Sequence, residues 1–140
     1  MSQVICISFK VELFKGIHDF TPSTGDTFKI ALYTSAATLN AGTTNYTSTG
    51  EASGAGYTAG GAILTSVTPS LDGTTVVMDF ADVTLGAVTL TYRQAMIYNA
   101  TKSNRAVAVF DFGTDRVVND GNLIIQMPPP SASNAILRAN

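Results

Sequence analysis

The residues able to do chemistry are few, and their spacing suits none of the common reactions. The chain holds one cysteine, Cys6, and one histidine, His18. A zinc site draws on several such ligands, so a single Cys and a single His leave it short. A Ser-His-Asp triad would have to recruit His18, yet no Gly-x-Ser-x-Gly elbow presents a serine to it. Cys6 has no second cysteine to pair with, which excludes an internal disulfide. It reads as a small buried hydrophobe near the N-terminus. Carboxylates come in pairs at Asp79 and Asp82, and at Asp111 and Asp115. Some β-sandwiches hold calcium with such groups, but EF-type spacing is absent. At strand ends these acids read as solvated or as turn caps. Arg93 and Arg105 flank a loop between two strands and could pair with Asp79 or Asp111, an ion pair worth little if exposed.

Glycine and tyrosine invite two further readings. Six of the 12 glycines fall at positions 42, 50, 54, 56, 60 and 61. A phosphate loop needs Gly-Lys-Ser/Thr opening a helix. Here Gly60-Gly61 leads into Ala62-Ile63-Leu64-Thr65, a strand, so the glycines read as tight-turn residues. Exposed aromatics could make a sugar platform, but the chain has no tryptophan. Tyr46, Tyr57 and Tyr98 read as packed core or interface residues. We therefore expect no catalytic residues, no cofactor, no metal and no enzyme activity.

Strands must position whatever this chain does. Residues 92–113, YRQAMIYNATKSNRAVAVFDFG, read as two strands joined by the polar loop ATKSNR. In the second strand Ala108, Phe110 and Phe112 point one way and Val107 and Val109 the other. Both faces are apolar, so the strand should be covered on both sides. Toward the N-terminus, Phe9, Leu13, Phe14 and Ile17 follow a helical spacing, with Ser8 as N-cap and Gly16 as stop. Residues 19–26 are a turn region, and Phe28 to Tyr33 alternate as a strand. Residues 34–61 are a long Thr-, Ser-, Gly- and Ala-rich segment, unusual for a loop within a compact domain. Strands follow at 62–68, 74–80 and 83–90, the last kinked at Gly86. Pro69 to Gly73 forms the turn between the first two, with Asp72-Gly73 the strongest hairpin dipeptide. Turns are expected at 113–116 and 119–122, and strands at 123–127 and 134–138 with Pro128-Pro129-Pro130 between them. The dipeptide Asp-Phe at 19, 79 and 111 is too short to count as a repeat. About eight short strands with turn chemistry between them predict an all-β antiparallel sandwich, jelly-roll-like, with one short N-terminal helix.

With 140 residues the chain suits a single domain, residues 1–140, with an N-terminal arm at 1–8 and a C-terminal tail at 128–140. It is 45% hydrophobic and only 13% charged, against about 25% charged in ordinary soluble domains. Such a surface fits a protein whose exterior is taken up by contacts rather than kept apart by charge. The net charge of −2 and scattered basic residues argue against nucleic acid as the partner. No stretch is long and apolar enough for a membrane helix, and there is no basic-then-apolar leader. The expectation is a protein made in the cytoplasm with no membrane partner.

Five segments carry a resemblance: FKVELFKGIHDF, DTFKIALYTSAATL, GEASGAGYTAGGAILT, MDFADVTL and AMIYNATKSNRAVAVFDFG. Their order, spanning roughly residues 9–127, resembles a family of tailed-phage capsid decoration, or cement, proteins with a jelly-roll fold. The likeness is strongest to the kind found as dimers on the head of a Bordetella podophage. The resemblance implies a virion component on the outer capsid surface, with the major capsid protein as partner and a homodimer as the unit. It supplies no catalytic residues. Contacts are expected from the chain ends, at Val4, Ile5, Phe9, Phe14, Pro128, Pro129, Pro130, Ile136 and Leu137. The alternatives are a phage tail or baseplate protein, and a carbohydrate-binding jelly roll.

Overall fold

The computed structural model describes residues 2–139; Met1 of the expected arm and Asn140 of the expected tail lie outside it. The elements run β1 (Ser2–Ile5), α1 (Ile7–Phe14), β2 (Phe28–Tyr33), β3 (Ala62–Ile63), β4 (Ser66–Asp72), β5 (Thr75–Phe80), β6 (Val83–Asn99), β7 (Arg105–Ile125) and β8 (Leu137–Ala139). They form two antiparallel sheets, one of order β1-β7-β6-β2-β3 and one of order β4-β5-β8. The fold is the all-β antiparallel sandwich expected, with one short helix.

The hairpin β6–β7 is the spine. Ala106 to Phe110 are all buried, as an apolar strand with neighbours on both flanks should be. β2 pairs with β6 and β1 pairs with β7. The loop turns without glycine, because Ser103 and Asn104 both take a φ of 57°. The core joins both sheets: Phe28, Leu32, Met96, Ile97 and Val107 from the larger, Met78 and Phe80 from the smaller.

The expected turns at 113–116 and 119–122 do not reverse the chain, because both lie inside β7. Tyr92 pairs with Arg116 and Gln94 with Asp111, so two steps along β6 are matched by five along β7. The excess is a bulge around Gly113, whose φ is 82°. Asp120 at φ 47° and Ala87 at φ 52° accompany further register shifts. Left-handed residues serve turns and bulges alike, and here the partner strand continues, so they make bulges. The strand expected at 83–90 is accordingly the first half of β6. Pro69 likewise sits within β4 rather than in the turn. β4 is an edge strand with a bulge between Val67 and Ser70, where a missing N–H costs no ladder bond.

Residues 34–61 lie along the larger sheet. Ala52 N donates to Leu32 O and Thr89 N to Ala55 O. A Cβ on Gly61 would stand 1.9 Å from Ile30 O, and one on Gly54 would stand 2.0 Å from Thr89 O. Only glycine lets the segment lie this close to β2 and β6.

Candidate interaction surface

Helix α1 begins at Cys6, which caps it in extended conformation without a side-chain bond. Ser8, the expected cap, lies one residue inside. The stop is as expected: Gly16 takes a φ of 68°, Gly16 N donates to Leu13 O, and Ile17 N donates to Glu12 O. This double bond pattern satisfies two orphan carbonyls and needs a left-handed residue after the cap.

The helix does not bury the face its apolar spacing predicts. Phe9 and Glu12 point inward, while Ile7, Val11, Leu13 and Phe14 are exposed. Phe9 enters an aromatic cluster, 4.7 Å from His18 and 6.0 Å from Phe20 between ring centroids; Phe20 stacks on Phe28 at 4.5 Å. Glu12 accepts from His18 Nε2 at 2.9 Å and from Arg105 Nη1 at 2.6 Å. Burial pushes its carboxyl up, but the bonds from His18 and Arg105 outweigh that and hold it below the usual range. A buried carboxylate with two donors therefore anchors α1 to the first residue of β7. His18 is held in turn: Asn99 Nδ2 donates to its Nδ1 at 2.9 Å and to Asp26 Oδ2 at 2.8 Å. Asn99 Oδ1 accepts from the loop amides of Thr101 and Lys102, which fixes the amide's orientation.

This anchoring turns Phe14 outward with 97% of its surface exposed. Ile7, Val11 and Phe14 are four and three residues apart, so they form one stripe along the helix. At its C-terminal end Leu13 opens onto an apolar groove of about 200 Å³, lined also by Phe20, Val76, Met78 and Leu137. The helix end and the C-terminal strand thus share one apolar surface, which sequence spacing alone did not indicate.

The expected contact residues divide accordingly. Phe14 lies on the exposed stripe of α1 and Leu137 lines the groove beside the helix end. Val4 is exposed on β1 and Ile5 is half-buried. Pro129 and Pro130 are exposed and Pro128 half-buried; Pro128 and Pro129 line a separate open cavity of about 490 Å³ together with Gln3. Phe9 and Ile136 are buried, so they support the surface from beneath rather than meet a partner. The ends are not loose: β1 is hydrogen-bonded into the larger sheet, and β8 into the smaller.

A second set of polar groups holds the long segment to the larger sheet. Glu51 accepts from Tyr46 Oη at 2.6 Å, from Tyr57 Oη at 2.8 Å and from Gly60 N at 2.8 Å. Tyr57 Oη also accepts from Leu32 N at 2.9 Å. Burial first, and then the neighbouring Glu51 carboxylate, push the Tyr46 and Tyr57 phenols up, which keeps both as donors. This clasp pins residues 34–61 to β2. It went unread in the sequence, although Glu51 is the sole charge in that segment. Burial drives the Cys6 thiol up to about 11, away from reactive thiolate. Arg93 meets Asp111 at 3.5 Å on the surface, as one expected pairing has it, whereas Arg105 takes Glu12. Among the described residues no three acids, histidines or cysteines cluster to hold a metal. Comparison with family models, with curated proteins and with solved structures finds no match.

Proposed function

We propose that this chain is a virion structural protein, a decoration protein that binds the outside of a phage capsid and ties major capsid protein subunits together. The observation that carries the reading is the exposed apolar surface of α1, with Phe14 at its tip and the Leu13–Leu137 groove beside it. A chain with few charges holds this surface in place with a part-buried ion pair and a second sheet, which suits contact rather than solvation. A capsid repeats its contacts many times over, so a small apolar anchor per copy adds to strong attachment. The resemblance to tailed-phage decoration proteins points the same way.

The test is co-sedimentation of the whole protein with undecorated shells of the major capsid protein of the same virion, followed by mapping of the decorated particle. The wild-type chain should pellet with shells and give density on their outer surface. Phe14→Asp should fold normally, since the residue is almost wholly exposed, and pellet at least about tenfold more weakly because an anchor residue is lost. Density confined to the tail, or binding indifferent to Phe14, overturns the reading.

A further inference from the structure

Sheet edges expose backbone donors and acceptors, and folds usually blunt them. Three of the four edges here are blunted. β3 has two residues. β4 carries Pro69 and a bulge. β8 has three residues, including Arg138. The fourth, β1, has the sequence Ser-Gln-Val-Ile: no proline, no charge and no register shift against β7.

The ladder says which backbone groups β1 leaves open. Cys6 N donates to Val107 O at 3.0 Å, which makes Cys6 and Val107 a hydrogen-bonded pair. In an antiparallel pairing such pairs alternate along the strands. With Val4 opposite Val109 and Ser2 opposite Asp111, residues 2, 4 and 6 bond to β7. The N–H and C=O of Gln3 and Ile5 then point away from it. On the loop side of β1, the edge of β7 is covered by the chain's own Asn45, bridged to Arg105. On the other side, β7 from residue 112 onward pairs with β6 alone, but that stretch is blunted by register shifts and by the charges of Asp115, Arg116 and Asp120. The open groups that are free of charge and in unbroken register are therefore those of β1.

We infer that the outer edge of β1 is a strand-addition site that takes an extended, uncharged segment of another protein. Only a polypeptide backbone offers alternating donors and acceptors at the spacing that Gln3 and Ile5 present. The neighbouring side chains, Ser2, Val4 and Gln3, offer no charge to pair with. A four-residue pairing is too small to hold two free proteins together. It contributes when a second contact already brings the partner close, which rests on the proposed attachment of α1 to a capsid. The occupant is accordingly a segment of the shell protein rather than a second copy of this chain.

Gln3→Pro tests this in the whole chain with the same shells. Proline removes the outward N–H of residue 3 and leaves the bonds of residues 2, 4 and 6 to β7 intact, so thermal unfolding should stay close to wild type. Shell binding should fall about tenfold, while Gln3→Ala, which keeps the N–H, should bind like wild type. Hydrogen exchange at the Gln3 and Ile5 amides of the wild-type protein should slow on shell binding, a readout that does not depend on the variant's folding. Unchanged binding by Gln3→Pro, or unchanged exchange in a decorated shell, overturns the strand-addition site and leaves capsid attachment standing. A wild-type chain that ignores shells overturns the attachment and this inference with it. A wild-type dimer in solution that Gln3→Pro converts to monomer assigns the edge to a second copy and refutes the occupant named here.

Discussion

The two halves of the β6–β7 hairpin share one ladder and differ in everything around it. In the half next to the loop, residues 94–99 and 106–110 are buried without interruption. β2 lies along one flank and β1 along the other. In the far half burial alternates: Val88, Leu90, Leu123 and Ile125 are inside, while Thr84, Thr89, Thr91, Val117 and Ile124 are outside. The ladder there breaks register between Leu85 and Val88 and again between Val88 and Leu90, whereas within the covered half it shifts once, between Ile97 and Tyr98. Pairing alone does not make a rigid strand. Cover on the second face restrains the register, because each slip would turn apolar side chains out of a packed face.

The largest expected effect breaks the well-covered half. Ile97 is fully buried and paired with Ile30 and Ala108. Ile97→Ala should cost about 2–5 kcal/mol, the range for a large-to-small change in a packed core. Denaturant unfolding with an unchanged slope would show it. A loss under about 1 kcal/mol would mean that this half collapses around cavities as easily as a surface ribbon, and the contrast between the halves would fail.

Glu12→Gln is expected to cost less and to depend on pH. Glu12 ties α1 to Arg105, at the edge of the covered half. Glutamine keeps the size and removes the charge-assisted bond, which should cost about 1–3 kcal/mol at neutral pH. In the folded chain the Glu12 carboxyl sits below its ordinary value. Stability from a lowered carboxyl is present above the unfolded value, about 4.3, and is lost as pH falls through the folded one. The difference between wild type and Glu12→Gln should therefore be constant near neutrality and shrink below about pH 4. Thermal unfolding measured from pH 7 down to pH 3 reads it directly. A difference that grows on acidification would mean that the carboxyl is not held ionised by His18 and Arg105.

Local signals explain which parts of this contrast are legible from the chain. β2 matches its expected span because Gly25 ahead of it and the Thr- and Ser-containing stretch after it punctuate a short apolar run, buried at every position but Lys29. The covered half is legible as well, since an apolar run such as Ala106 to Phe110 has no solvent-facing solution. In the far half the continuous β7 reads as two turns, at 113–116 and 119–122, ahead of a strand at 123–127, because Gly113 and Asp120 carry the same left-handed geometry whether a chain reverses or bulges. What decides is the partner strand, and that is not local. The same limit applies to α1. Spacing places Leu13 and Phe14 inside with Phe9, but Glu12 outcompetes them because Arg105, 93 residues away, is there to receive it. The clasp on Glu51 is different: Tyr46, Tyr57 and Gly60 lie within nine residues of it, and only the bond from Leu32 to Tyr57 reaches further along the chain.

The smallest expected effect sharpens the comparison most. Val117 and Ile124 are large, apolar and exposed on the far half. If nothing covers them in the free protein, replacing both with threonine should change stability by no more than about 0.5 kcal/mol, since threonine suits a strand and no packing is lost. A cost above about 1 kcal/mol at every protein concentration would mean that the isolated chain covers this face itself, and the two halves would then be alike. A cost that appears only at high concentration would mean that a second copy supplies the cover. Only the near-zero result preserves the distinction, in which one hairpin is core at the loop end and open ribbon at the other.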